Sequence, residues 1–561
     1  MADNKTASNE QWAFFVDEAL IEKLMGASRD EAPAGAPAEA ARPTTSQALS
    51  QVVTLAREGK VAEALRAAVE AMAMGENGPE LLAARGHLEF ELGDFAAAEA
   101  SYERLAGQAP DLMTAHYNLG LARERLGKFE AAAGAFARAR ELDGSRWQAA
   151  LGLGVARLHA GDPEGAATAF EECLAVQPEC ADAQFGLGCA LHILGRADEA
   201  HDWYRKVLAK RPEARGVLQN LVALAASRKE ETRLREYSEK LLRIDAQSRV
   251  AFEGLAGAAF ARGDYNAAVN YCAQLVKVAP DSFAGWYNLG VAYQKSSRLE
   301  QAAQAYAEAA RLDAGAAAAH ANLGSVLQER GDATGARRAY ERALAIDPAL
   351  TGVLWNLGLL AEKQGEGEQA EKLYQQVAAA GEHDDARFRL GYLAMEREDW
   401  VQAVEQFEAC LKKRKDWNEA RVNLGIAYWR FGDHESAIEH LKSALAAQAG
   451  NTAALRALGA AQAEAGNAEA AREAYEELVR RNDRVPELAH NVALLLQKSG
   501  DARGASALYR EALEARPDLF PAMLNLGHAC KSMGDEEGAR RWWARALETQ
   551  PELAAEYFES Q

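Results

Sequence analysis

Glycine returns in this chain at a fixed interval, and that interval limits the fold more than any other feature. Gly86, Gly120, Gly154 and Gly188 stand 34 residues apart; Gly290, Gly324 and Gly358 keep the spacing, and Gly391, Gly425, Gly459 and Gly527 resume it after one interval shortened by a residue. With that glycine as position 8 of a unit, position 15 is usually glycine again (Gly93, Gly127, Gly331) and position 20 is alanine (Ala98, Ala302, Ala505). Position 24 is commonly Tyr or Phe, and position 32 often proline, as at Pro280 and Pro348. A unit this short cannot enclose its own apolar face. Such units must stack and bury each face against the next.

Each unit reads as two amphipathic helices, positions 1–14 and then a second helix to about position 30, with a turn at the second glycine. The proline stops the second helix because it lacks an N–H and disfavours helix in the residue before it. Glycine inside a helix costs about 1 kcal/mol relative to alanine. Its recurrence in "WYNLG" (286–290), "HYNLG" (116–120) and "MLNLG" (523–527) therefore requires a gain elsewhere. Small residues at positions 8 and 20 supply it by letting helices approach closely, and the ring at position 24 fills the space between neighbouring units. The unit at 215–248 has lost this signature: Val222 replaces the glycine, Arg228 the turn glycine and Leu234 the alanine. Larger residues at contact positions predict wider helix spacing there, and a bend between 45–214 and 249–552. The first unit, 45–78, reads as an atypical capping repeat.

The five matched positions make the chain resemble the tetratricopeptide repeat (TPR) family, over about fifteen units between about residues 45 and 552. The resemblance implies an all-α, right-handed superhelical solenoid whose first helices line a concave groove, and a non-enzymatic scaffold that binds a protein or peptide partner there. Position 6 then points into the groove. It is asparagine at Asn118, Asn220, Asn288, Asn322, Asn356, Asn423, Asn491 and Asn525. The TPR region of the O-linked N-acetylglucosamine transferases is similar, with an inner asparagine ladder that grips the main chain of an extended polypeptide. An amide offers both donor and acceptor, so it pairs with any peptide unit. The competing reading is that the asparagine braces the repeat, since position 6 is Ala84, Gly152, Gly186, Gly254, Arg389 or Ala457 in other units. Asn288, Asn322 and Asn356 fall in consecutive units and make the best groove segment.

Position 5, on the same implied face, is aromatic at Tyr117, Phe185, Tyr287, Trp355 and Phe388. A strip of rings beside an amide ladder would hold apolar side chains of a ligand, although aromatics at helical spacing also build cores. The lysine–asparagine clamp by which some TPR proteins hold a C-terminal carboxylate is not expected, because no position 9 is asparagine and no position 5 is lysine.

The net charge of −20 argues against nucleic acid, whose phosphates need a Lys/Arg surplus, and suits basic or neutral partners. "LKKRKDW" (411–417), the densest basic run, falls at the end of a second helix, where positive charge complements the helix dipole. No run of eighteen apolar residues exists, so no bilayer span is expected. The six cysteines have no metal-ligand spacing and read as buried thiols, which makes a cytoplasmic location the default expectation. No phosphate-binding glycine loop, H-E-x-x-H or G-x-S-x-G is present. No catalytic residue, metal ligand or cofactor is expected. Residues 1–28 contain "NEQWAFFVDEALIEKLMG", with Trp12, Phe15, Leu20 and Leu24 at helical spacing, followed by a Pro/Ala-rich linker at 29–44; a short tail, 553–561, ends the chain. The first segment reads either as a cap on the array or as a helix that docks in a groove, in its own chain or in a second copy. Self-assembly through 1–28, and an accessory role presenting substrates to a separate enzyme such as a glycosyltransferase, stand as alternatives to the scaffold.

Overall fold

The computed structural model describes residues 47–381 and 384–552. The segment expected at 1–28, the linker at 29–44 and the tail at 553–561 lie outside them. The described residues form thirty helices in fifteen antiparallel pairs, from Gln47–Arg57 to Glu536–Thr549, with no strand among them. The fold is an all-α solenoid. Two compact units divide it, one ending at Asp313 and the other beginning at Ala314.

A regular repeat, such as Phe283–Lys295 with Leu299–Leu312, pairs a 13-residue first helix with a 14-residue second helix. The turn between them needs a left-handed residue. Gly93 (φ 80°), Gly331 (φ 86°) and Gly365 (φ 77°) supply it without a Cβ penalty. In three repeats the same conformation is forced on Lys229 (φ 56°), Ser297 (φ 60°) and Glu398 (φ 60°). The turn residue of the irregular repeat is therefore Lys229; Arg228 sits one position earlier with ordinary right-handed angles. The second helix is then commonly opened by an aspartate. Asp94, Asp264, Asp332 and Asp501 each accept a hydrogen bond from the backbone N–H three residues on, a cap contributing about 1 kcal/mol.

The small residues do what their recurrence predicts. A Cβ on Gly324 would lie 2.5 Å from the Tyr340 ring, and one on Gly290 2.7 Å from Tyr306. Position-8 glycine is thus the seat of the position-24 ring of its own repeat. Tyr102, Tyr204, Tyr340, Tyr374 and Phe170 are buried on such seats, each ring contributing about 1.5–3 kcal/mol by leaving water. The alanines at position 20, among them Ala98, Ala302 and Ala505, are fully buried.

The irregular repeat, Arg215–Ser227 with Glu231–Ile244, does not interrupt the stack. One apolar core runs through it from Ala150 to Ala258. Val222 and Leu234 are buried as intrusions at positions 8 and 20, but position 24 has shrunk to Ser238, so the volume is exchanged rather than added. The division of the chain falls at Asp313/Ala314, not at this repeat.

Within each unit, several first helices touch the first helix of the next repeat, as Arg215–Ser227 does Arg249–Ala261 in the first unit and Asn418–Phe431 does Thr452–Glu464 in the second. No comparable contact joins successive second helices among the described residues. First helices crowd along one face and second helices stand apart on the other. All six cysteines are buried and none is in a disulfide.

Candidate functional site

Around Thr452–Glu464 the crowded first-helix face carries positions 2, 5, 6, 9, 12 and 13 of the repeats. The asparagines at position 6 lie on it with very different freedom. Asn118 is buried beside the Tyr102 hydroxyl, Asn220 donates from Nδ2 to the Tyr204 hydroxyl at 3.3 Å and to Cys189 Sγ at 3.4 Å, and Asn356 faces the Tyr340 hydroxyl. Each partner is the position-24 tyrosine of the preceding repeat, sixteen residues earlier. That tyrosine also reaches position 12 of its own first helix: Tyr340 donates to Gln328 Oε1 at 2.8 Å, Tyr509 to Gln497 Oε1 at 2.9 Å and Tyr374 to Glu362 Oε2 at 2.6 Å. Burial holds the hydroxyls of Tyr102, Tyr204, Tyr340 and Tyr374 well above the usual phenol range, so they stay neutral donors.

The sequence carries a signal for this brace in a spacing of sixteen. Tyr102, Tyr204 and Tyr340 are each followed sixteen residues later by the asparagine they face, and Tyr475 and Tyr509 by Asn491 and Asn525, which turn to His490 instead, whereas Phe136 and Phe170 are followed by Gly152 and Gly186, and Leu441 by Ala457. Geometry explains the glycines: a Cβ at Gly152 would lie 2.8 Å from the Phe136 ring, and one at Gly186 2.4 Å from Phe170. Two asparagines stand apart. Asn288 follows Cys272 and is exposed; Asn423 follows Phe407 and is half-buried. Neither has a ring hydroxyl to brace. Asn322 is half-buried and is the ladder residue of the first repeat of the second unit. Asn491 accepts from His490 Nδ1 at 3.2 Å and Asn525 donates to His490 Nε2 at 3.1 Å, which together fix the imidazole tautomer; burial lowers the His490 pKa.

The position-5 rings lie edge-on or tilted against the position-24 ring of their own repeat. Tyr117 meets Phe136 at 5.7 Å, Phe185 meets Tyr204 at 5.8 Å, and Tyr287 meets Tyr306 at 5.7 Å. Trp355 meets Tyr374 at 5.4 Å, and Phe388 meets Phe407 at 5.6 Å while stacking on Trp417 at 4.8 Å. Phe185 and Tyr287 are buried; Tyr117, Trp355 and Phe388 are half-buried, with part of each side chain reached by solvent.

The face opens into a cavity of about 450 Å³ in the second unit, between the first helices Asn418–Phe431, Thr452–Glu464 and Pro486–Lys498. Its floor is Ala453, Ala457 and Ala460, one-carbon side chains at positions 2, 6 and 9 of a single repeat. Its walls are Ile426 and Trp429 on one side and Leu488 and Asn491 on the other. Among the ladder residues, Asn491 alone lines it. Arg456 Nε donates to Asp483 Oδ2 at 2.8 Å, with a second bond from Nη2 to the same carboxylate, and Glu487 pairs with Arg516. Among the described residues, Glu464 has the His434 imidazole at 4.0 Å and no lysine or arginine within ion-pair distance. Three alanines at inner positions were the signal in the sequence, but alanine there reads as filler.

Among the described residues no group of three His, Cys, Asp or Glu is placed to hold a metal, and no helix is long and apolar enough to cross a membrane. A model of the tetratricopeptide repeat matches residues 49–112, 83–146, 117–174, 151–215, 254–317, 292–350 and 422–486, and two further models of that repeat match 327–391 and 385–416. No curated protein matches at a significant level. Among solved structures, MamA is similar at 25% identity over 29% of this chain and 94% of its own, with a TM-score of 0.28. The C-terminal part of a TPR repeat-containing protein from Cytophaga hutchinsonii is similar at 18% identity over 43% and 99%, with a TM-score of 0.38. A tetratricopeptide repeat protein from Parabacteroides merdae is similar at 16% identity over 44% and 98%, with a TM-score of 0.31.

Proposed function

Because this chain belongs to the tetratricopeptide repeat family, we propose that it is a protein-interaction scaffold that holds an extended polypeptide segment along its first-helix face. The observation that carries this reading is the cavity at Ile426–Asn491, an apolar trough on the one face where successive first helices meet. The amides of Asn288 and Asn423, which no tyrosine hydroxyl occupies, supply donors and acceptors for a ligand's main chain. Each bond would add about 0.5–1.5 kcal/mol. The exposed edges of Tyr117 in the first unit, and of Trp355 and Phe388 in the second, supply apolar contact, each on the first-helix face of its own unit. Asn118, Asn220 and Asn356 orient the repeats and contribute less to a ligand.

A photo-cross-linking amino acid placed at Ala453, in the cavity, and at Glu473, exposed on the neighbouring second helix, tests the reading in the native cell. The expected outcome is a polypeptide adduct at position 453 that is absent at 473. Equal adducts at both positions, or none at 453, would refute a first-helix binding face.

A further inference from the structure

We propose that the cavity between Ile426 and Asn491 accepts a bulky apolar side chain of a polypeptide whose flanking residues are lysine or arginine. The proposal rests on the scaffold reading and names the kind of segment that this part of the face fits.

Shape gives the first half. The floor carries nothing larger than a methyl group over three inner positions of one repeat, Ala453, Ala457 and Ala460, while Ile426, Trp429 and Leu488 stand up around it. A hollow of about 450 Å³ accommodates a leucine or an aromatic ring together with part of the chain that bears it. Asn491 lies at one edge with its carbonyl oxygen committed to His490 and its NH2 group turned to no partner among the described residues. It is placed to meet a main-chain carbonyl oxygen beside the buried side chain.

Charge gives the second half. Arg456, the one lysine or arginine among the residues that line the cavity, already has a partner, as have Arg516 and Arg430 near it. Arg456 is held by both oxygens of Asp483, Arg516 is held by Glu487, and Arg430 lies over the rings of Trp400 and Trp429 at 5.2 and 5.6 Å. The anion Glu464 is different: it has the imidazole of His434 at 4.0 Å and, among the described residues, no lysine or arginine within ion-pair distance, and it lines the cavity. The uncommitted charge at this mouth is negative, in a chain whose net charge is −20. An acidic segment would meet repulsion with no free guanidinium to offset it; a basic one would meet Glu464.

Three fluorescent peptides titrated into the full-length protein test this by anisotropy. Each carries a central Leu-Trp pair, flanked by lysines in the first, by glutamates in the second and by Gly/Ser in the third. The lysine peptide is expected to bind at least about ten-fold more tightly than the glutamate peptide. Replacing its Leu-Trp by Ser-Ser, or filling the cavity with Ala453→Trp at an already exposed position, should each weaken it by about ten-fold or more. Glu464→Lys should cut its advantage by about three-fold or more. If all three peptides bind alike and all are lost in Ala453→Trp, the charge assignment falls while the scaffold reading stands. If lysine-peptide binding ignores both Ala453→Trp and the Ser-Ser exchange, or is not detectable, the cavity assignment falls. The scaffold reading itself falls only if the cross-linker at Ala453 is also silent. Unchanged helical circular dichroism of the variants shows that each result reports binding rather than folding.

Discussion

Two repeats of the second unit share a backbone and differ in what they leave open. In Thr351–Lys363 with Gly367–Ala379, the inner face is occupied: Trp355 packs on Tyr374, Asn356 faces Tyr340, and Glu362 accepts from Tyr374. In Thr452–Glu464 with Ala468–Arg480, the same positions hold Arg456, Ala457 and Ala463, and the face is hollow. The helix pair is therefore a frame set by positions 8, 20 and 24. What the frame can bind is set by positions 2 and 9, and by positions 5 and 6 where the ring at position 24 makes no demand on them.

The largest break in this comparison is expected at position 8. A Cβ on Gly358 would sit 2.6 Å from the rigid Tyr374 ring, whereas one on Gly459 would meet the far end of Leu488, 2.7 Å away, which can swing into the cavity. Gly358→Ala should cost about 2 kcal/mol even after the gain in helix propensity. Gly459→Ala should stay within about 1 kcal/mol and reduce cavity binding instead. Hydrogen exchange of the two first helices under mild urea separates the two outcomes; equal losses would show that the ring is not the cause.

Position 12 extends the same contrast into the first unit. Gln328 and Gln497 accept from a tyrosine hydroxyl, but Glu124 belongs to a repeat whose position 24 is Phe136, and burial pushes its carboxyl up to about 7. The folded state then holds a proton that the unfolded chain releases near pH 4.5. The linked stability is present below that pH and is lost as pH rises towards 7. Glu124→Gln should raise the melting temperature at about pH 7.5 and leave it unchanged at about pH 4, as scanning calorimetry at both values would show.

A smaller difference separates braced from unbraced asparagines. Asn356→Ala strands the Tyr340 hydroxyl on one side and should cost about 1 kcal/mol. Asn288→Ala, at an exposed amide, should change stability by less than about 0.5 kcal/mol and act on partner affinity alone. Reversed effects in thermal melts would return the braced residues to ligand binding. Opposite in sign, Ser297→Gly should stabilise by about 0.5 kcal/mol in the same melts, because Ser297 occupies the left-handed turn that glycine fills in most repeats.

Much of this frame was legible in the sequence. The period, the helix pairs and the roles of the glycine at position 8 and the alanine at position 20 follow from spacing, because they recur and because only small residues satisfy them. The irregular repeat was legible as a loss but not as a repair: Val222 and Leu234 announced extra bulk, while the compensating Ser238 matters only once the three are known to touch. The asparagines were harder. Whether an amide is spent on a tyrosine or left for a ligand depends on a residue sixteen places back in a different helix. The cavity was least legible, since it is made of side chains that stop at one carbon.

The brace has a consequence for how such arrays can be lengthened or shuffled. A repeat that hands on Tyr204 or Tyr340 meets an amide across the seam, and one that hands on Phe136 or Phe170 meets the bare backbone of Gly152 or Gly186, while Asn423 opposite Phe407 carries no such tie. Duplicating or transplanting a single repeat therefore creates two mismatched seams, whereas moving a block whose end rings match the new hosts creates none. Recombination that respects those seams is the cheap route to a longer or differently lined scaffold.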